Sequence, residues 1–318
     1  MNKTPLIVIL GPTASGKTAL SLDVAEYLDT EIISADSMQV YKYMNIGTAK
    51  PTTEERRGIV HHLIDEVMPD DEFSVVRYIR LAQKRIADIY AKGKIPVIVG
   101  GTGLYIDSLI DNISFSETAV DYTLRDKLTS MAAEKGNKHL HLMLERVDPQ
   151  AANRIHCNNL KRVIRALEVY YTSGKTISEH QSVSRLSESP YDVITFMPAW
   201  EREKLYKRID MRVDIMLRDG LIEEVEDLVK KGYTKGLTSM QGIGYKEVLD
   251  YYYGMATLPE MVDTIKRNTR RYAKRQITWF KRNAGIVELD ASLPDISEIC
   301  KGMVDKWLYN GQKSNGAM

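Results

Sequence analysis

Two cysteines, Cys157 and Cys300, are all that the 318 residues contain. They stand far apart and without metal-ligand spacing. That speaks against a disulfide framework and against a zinc site, and it fits a reducing compartment. Also lacking is any apolar run near the ~18 residues that a membrane span needs. The opening residues Met1-Asn2-Lys3-Thr4-Pro5 form neither a cationic leader with a long apolar stretch nor a small-residue cleavage site, so a cytoplasmic protein without a membrane partner is expected. Internal repeats and low-complexity stretches are missing too. Nor is there an excess of charge of one sign: 44 Lys and Arg against 43 Asp and Glu leave a formal net charge of +1. With 43% hydrophobic and 27% charged residues, the composition is that of an ordinary globular chain. It is long enough for a large core domain and a smaller attached one.

The neutral sum hides a local excess. Residues 266–282, KRNTRRYAKRQITWFKR, hold eight Lys or Arg and no acid, while acidic stretches such as Glu223-Glu224-Val225-Glu226-Asp227 cancel them elsewhere. Ile265, Tyr272 and Trp279 recur at seven-residue spacing and give a packing face. Lys266, Arg267, Arg270, Arg271, Lys274 and Arg275 crowd the remainder. A solvated helix face normally mixes signs; six unpaired cations on one helix repel one another unless phosphates neutralise them. A nucleic acid is the expected partner.

Directly behind the apolar run Leu6-Ile7-Val8-Ile9-Leu10 stands GPTASGKT, Gly11 to Thr18. Its spacing, G-x-x-x-x-G-K-[ST], is that of a phosphate-cradling, nucleotide-binding loop. Gly11 and Gly16 allow close backbone approach, with Pro12, Thr13, Ala14 and Ser15 between them. Loop amides and the following helix N-terminus present positive potential, Lys17 adds a point charge, and Thr18 can hold Mg²⁺. ATP is the usual occupant, yet the loop's chemistry specifies only a chain of phosphates and a metal.

Around this loop the first third alternates strand and helix signals. A helix is expected from about Lys17 to Leu28, a strand at Glu31–Ala35 and a helix from about Val75 to Ala91. A strand at Ile95–Val99 then breaks into Gly100-Gly101-Thr102-Gly103. This alternation indicates an α/β fold with a parallel sheet, whose ligands sit outside the carboxyl ends of the strands. The loop, Asp36 and the Gly-Gly-Thr-Gly turn all follow strands and are expected to converge on one crevice. From about 114 to 189 the chain turns helical and polar, with one helix over Asn153–Thr172 closed by Ser173-Gly174 and a polar linker, SVSRLSESP. Strand signal returns at Tyr191–Phe196, followed by helices near 200–219 and 220–231 and one from Pro259 to about Asn283. The expected organisation is a P-loop, nucleotide-kinase-like core of 1–113 and 190–318 with a helical C-terminal region, interrupted by a helical insertion of 114–189.

Asp36-Ser37-Met38-Gln39 reads in isolation as a cap or turn. At the active edge of the sheet, however, its carboxylate can take a proton and Gln39 can hydrogen-bond a base edge. The glycines of the Gly-Gly-Thr-Gly turn are expected to let a substrate approach the backbone. Arg208 and Arg212, four apart on one helix, are either a face paired to Asp210 and Asp214 or a diphosphate clamp.

Taken together, GPTASGKT, ISADSMQVYKYMNIGTAKP, VIVGGTGLY, KRVIRALEVY, QGIGYKE and RRYAKRQITWFKR resemble, in that order, the tRNA dimethylallyltransferase (isopentenyltransferase) family. They span residues 11 to 282, and no Cys/His pair follows the basic helix, as in the bacterial form without a zinc finger. The resemblance implies a monomeric prenyltransferase moving a dimethylallyl group from dimethylallyl diphosphate to N6 of the adenine 3′ of the anticodon in tRNA. Asp36 is then the general base, while Lys17, Arg212, the loop and Mg²⁺ on Thr18 hold the leaving diphosphate. By the same resemblance Asp36, Ser37, Met38 and Gln39 meet the flipped adenine, and Thr102 lines the channel between the substrates. It also implies contacts to the anticodon stem-loop from Arg125, from Lys161, Arg162, Val163, Ile164 and Arg165, and from Gln241, Gly242, Ile243, Gly244, Tyr245 and Lys246. The rivals are a small-molecule or nucleoside kinase, an adenylate isopentenyltransferase acting on free nucleotide, and a P-loop nucleic-acid-binding ATPase without transfer chemistry.

Overall fold

The computed structural model describes residues 3–113, 121–184 and 188–316. It separates into one unit of residues 1–109 and 190–318 and a second of 110–189. In the first unit β1 (Thr4–Leu10) leads through the phosphate loop into α1 (Lys17–Tyr27). β2 (Ile32–Ala35), β3 (His61–His62), α2 (Val75–Ala91), β4 (Val97–Gly100) and α3 (Gly103–Ile110) follow. The second unit holds α4 (Tyr122–Lys135), α5 (Asn137–Val147), α6 (Pro149–Arg154), α7 (Leu160–Ser173) and α8 (Ile177–Ser184). The chain then returns to the first unit as β5 (Tyr191–Ala199), α9 (Arg202–Arg218), α10 (Leu221–Lys230), α11 (Tyr245–Tyr252), α12 (Leu258–Phe280), β6 (Ile286–Asp290) and α13 (Ile296–Gly316).

The six strands run in the order β3-β2-β4-β1-β5-β6, and every pairing is parallel. From Leu6 to Leu10 β1 is buried on both faces because that run is uniformly apolar, as an interior parallel strand requires. Gly100 of β4 stands level with Leu10 on one side and Ala35 on the other. Three strands therefore end together, and the segments that follow them begin at one edge. Ile7, Ile9, Ile32 and Phe196 from the sheet pack with Val24 of α1 and with Cys300 and Val304 of α13. A separate core joins α9, α10, α11 and α12 through Val213, Val225, Tyr245, Val248, Met261 and Ile265. The second unit has its own core, with Leu128, Leu140, Leu144, Val163 and Leu167 at its centre.

The helix expected over Asn153–Thr172 is two. Asp148 caps α6 through its Oδ1, which accepts from the Ala151 amide at 2.9 Å. The chain leaves the helix at Ile155 in an extended conformation. His156 Nδ1 then accepts the Asn158 amide at 3.2 Å, and this polar turn separates α6 from α7. α7 ends as expected on left-handed Gly174, φ 70°. The expected linker begins inside α8, which runs to Ser184, and its residues 185–187 lie outside those described, as do 114–120 at the start of the insertion. β6 and α13 have no counterpart in the sequence reading: IVELD is too short to stand out, and α13 earns its place by covering the sheet. Among the described residues no helix is long and apolar enough to cross a membrane.

Candidate active site

The phosphate loop is shaped by two left-handed residues. Gly16, φ 93°, opens α1, a conformation that glycine adopts freely. Ala14, φ 62°, adopts it despite its Cβ, at a cost of about 1 kcal/mol. Within the loop the Ser15 hydroxyl is buried and has no protein partner. The Lys17 ammonium donates to the Pro12 carbonyl at 3.3 Å. Burial pushes its pKa down to about 8; neighbouring Arg212 adds to the shift and Asp36 opposes it. The Arg212 guanidinium is likewise depressed, first by burial, with Asp36 and Glu55 opposing. Burial thus depresses two neighbouring cations, with Asp36 and Glu55 as the opposing charges.

Lys17, Thr18, Asp36, Gly100 and Arg212 line one cavity of about 380 Å³. Lys17, Thr18, Ala49, Arg212 and Met216 also line a second cavity of about 860 Å³, which reaches Arg208 and Arg57. The structure therefore brings the three post-strand segments together and places the cations where the two cavities meet. Of Arg208 and Arg212, both on α9, Arg212 faces this junction. Arg208 instead donates through Nε to the Ala14 carbonyl at 2.9 Å and lies over the Trp200 ring. Neither pairs with Asp210 or Asp214; those acids bind Arg270 and Lys266 of α12.

Asp36 Oδ1 accepts the amides of Met38 at 2.8 Å and Gln39 at 3.3 Å, which fixes the carboxylate at the end of β2. Thr102 Oγ1 accepts the Ser37 amide at 3.1 Å. Three expectations are corrected around this pair. Gln39 has no amide left for a base edge, because its Nε2 donates to the Thr48 and Ala49 carbonyls and its Oε1 accepts from Ser34. The Gly-Gly-Thr-Gly turn makes room for protein rather than substrate. A Cβ on Gly101 would stand 2.3 Å from Gln276 Nε2, and one on Gly103 would stand 2.4 Å from Trp279. The third concerns α12, whose cations are not all unpaired. Lys266 meets Asp214 at 2.5 Å and Arg270 pairs with Asp210, leaving Arg267, Arg271, Lys274, Arg275, Lys281 and Arg282 exposed.

Two residues of α12 belong to the site although the sequence marked neither as functional: Tyr272 read as packing, and Gln276 carried no reading of its own. Tyr272 lines the smaller cavity with Asp36. Burial, aided by Asp36, pushes its hydroxyl pKa up to about 12. It is therefore a neutral donor at any working pH. Gln276 is buried; its Oε1 accepts the Thr13 amide at 3.2 Å and its Nε2 donates to the Gly101 carbonyl at 2.8 Å. One side chain thus ties α12 to the phosphate loop and to the turn after β4. Its place one turn beyond Tyr272 was the available clue.

The residues proposed to meet RNA divide sharply. Lys161 and Arg162 are exposed at the start of α7, whereas Val163 and Ile164 are core; their side chains do not face a partner. Arg125 and Arg165 both bond Glu168, whose carboxylate is fully buried. These bonds and the Asp121 amide hold Glu168 below the usual carboxylate range against the opposing effect of burial, the largest single influence. Arg125→Ala removes one of two cations from that carboxylate. It is expected to cost the second unit about 1–3 kcal/mol, less than an isolated buried pair because Arg165 remains. Urea unfolding reads this loss, and tRNA affinity in filter binding stays within twofold. In the 241–246 segment Gly242, Ile243, Gly244 and Lys246 line the smaller cavity with Gln241. Tyr245 turns inward and donates to Glu224 at 2.6 Å. That same carboxylate accepts the amides of Asn45, Ile46 and Gly47, seating the segment that ends in the cavity wall at Thr48 and Ala49.

Comparison with known proteins adds to this geometry. A family model described as IPP transferase matches residues 39–283. A tRNA dimethylallyltransferase of Acetivibrio thermocellus is 57% identical over 277 residues, covering 87% of this chain and 88% of the relative. One from Lachnoclostridium phytofermentans is 48% identical over 309 residues, 95% of this chain and 98% of the relative. The solved full-length tRNA isopentenylpyrophosphate transferase of Bacillus halodurans is 42% identical with a TM-score of 0.75, covering 99% of this chain and 100% of that one. A eukaryotic dimethylallyltransferase acting on tRNA is 30% identical with a TM-score of 0.83, covering 96% of this chain and 80% of that one.

Proposed function

The chain belongs to the IPP transferase family, and on that premise we propose that it is a tRNA dimethylallyltransferase. It moves the dimethylallyl group of dimethylallyl diphosphate to N6 of the adenine 3′ of the anticodon. The observation that carries this reading is the meeting of Lys17, Arg212 and Asp36 in one cavity beside a helix with an outward cationic face. The amine lone pair of an adenine is delocalised into its ring, so N6 attacks weakly unless its proton is taken as the C–N bond forms. Asp36 accepts that proton. As N6 bonds to the allylic carbon, the bond from that carbon to the diphosphate oxygen breaks, and its electron pair leaves on the phosphate. Lys17, Arg212 and the first amides of α1 meet this charge in a desolvated place, where each interaction counts for more than in water.

A magnesium ion fits the donor set. Thr18 offers a hard hydroxyl oxygen in the cavity, beside the Lys17 and Arg212 cations that would hold the phosphates. That suits an ion bound largely by substrate phosphates and water. When bound through Thr18 it would neutralise charge on the diphosphate. The adenine reaches Asp36 only by leaving its stack in the loop. The exposed cations of α12, with Lys161 and Arg162, hold the anticodon stem-loop by its phosphates. The protein acts as a monomer in the cytoplasm, where its RNA substrate lies.

Mass analysis of tRNA nucleosides before and after incubation with protein, Mg²⁺ and dimethylallyl diphosphate tests the assignment. One adenosine is expected to gain a dimethylallyl group. Phosphate transfer from labelled ATP without prenyl incorporation would sink the reading in favour of a kinase. Prenylation of AMP in the absence of tRNA would instead assign the acceptor to free nucleotides.

A further inference from the structure

Two neighbouring carbonyls of the phosphate loop are held from a distant part of the chain. Trp200, between β5 and α9, donates its indole N–H to the Ser15 carbonyl at 2.9 Å. Arg208 of α9 donates Nε to the Ala14 carbonyl at 2.9 Å, and its guanidinium carbon lies 4.4 Å from the centre of the Trp200 ring. The Ala14 methyl packs with Leu205, Ile209 and Ala273, with Trp200 against the same cluster. A peptide unit is planar and trans, so its carbonyl and the next N–H point in opposite directions. Fixing the Ser15 carbonyl on Trp200 therefore fixes the direction of the Gly16 N–H. That amide opens α1, where the first N–H groups have no partner within the helix and await an anion.

We propose that Trp200, with Arg208 stacked on its ring, is a positioning residue for the phosphate loop, bracing its carbonyls so that its amides stay aimed at the donor's diphosphate. The brace makes no contact with the reacting atoms. It acts through the loop and maintains a left-handed Ala14 that the loop sequence alone does not favour. The inference rests on the reading of this loop as the diphosphate site.

Trp200→Phe keeps a ring for Arg208 to stack on and removes only the N–H donor. Calorimetric titration with inorganic diphosphate and Mg²⁺ is expected to show about tenfold weaker binding, the size of one lost hydrogen bond. The KM for dimethylallyl diphosphate is expected to rise in parallel, while the KM for tRNA holds and the melting temperature falls by no more than a few degrees. Combining Trp200→Phe with Arg208→Met is expected to cost less than the product of the two single losses, since neighbours in one brace are not additive. Diphosphate affinity equal to wild type overturns the inference, as does a uniform loss for both substrates with a larger fall in melting temperature. Failure of the wild-type protein to bind diphosphate at all is a separate result, and overturns the assignment of the loop itself.

Discussion

Asp36→Asn is expected to lower turnover by about 10³-fold, within the range general-base catalysis supplies, while tRNA affinity stays within about threefold. The asparagine keeps an oxygen to accept the Met38 and Gln39 amides, so the turn after β2 survives. Only the capacity to take the N6 proton goes. Single-turnover prenylation with saturating substrates reads the chemical step, and filter binding with unmodified tRNA reads affinity. If turnover fell merely in proportion to a loss of tRNA binding, Asp36 would be an anchor for the adenine and not its base. Indifference to the change would favour a P-loop RNA-binding protein without transfer chemistry.

The second large effect is at Lys17. Lys17→Met is expected to reduce kcat/KM for the prenyl donor by about 10²–10³-fold, the range for losing one preorganised donor to developing negative charge. Its pH dependence follows from the lysine's depressed pKa of about 8 in the free protein. Diphosphate favours the ammonium and raises that pKa. Wild-type affinity for diphosphate is therefore full below pH 8 and falls by up to tenfold per unit above it, until the pKa of the complex is reached. Lys17→Met shows a weak affinity that is flat across the same range. The stability effect runs the other way. The folded protein binds this proton less tightly than the unfolded chain, so the charged lysine costs the fold below about pH 8, and the cost fades as pH rises toward the ordinary lysine value of 10.5. The methionine variant should accordingly be more stable than wild type at pH 7, by up to about 3 kcal/mol, with the gap closing as pH passes 10. Urea unfolding at the two pH values measures it.

How much of this was legible beforehand depended on the kind of signal each residue carried. The strands of the sheet core announced themselves by runs of branched apolar residues, and α2 by a regular period, Val75–Ala91 as read. The phosphate loop and the Gly-Gly-Thr-Gly turn carried their own spacing. Partnership across the fold was not legible. Nothing near Gln39 says that Thr48 and Ala49 will take its amide, and nothing near Arg125 says that a buried Glu168 waits some forty residues on. Arg208 and Arg212 look alike in sequence; a turn of helix sends one to the loop backbone and the other to the cavity junction. Tyr272 was visible only as a member of a packing face, and Gln276 not at all, because the run around them is dominated by charge. Two of those charges proved to be answered by α9.

The contacts of α12 with the turn after β4 bear on any attempt to exchange parts with a relative. Gly101 and Gly103 have no room for a methyl group while Gln276 and Trp279 stand opposite them, and the Thr13 amide depends on that same glutamine. Residues 11–18, 100–105 and 272–279 are thus one interlocking unit in three pieces. A chimera that imports α12 to alter RNA preference inherits the donor loop's geometry along with it. It will function only when all three pieces travel together.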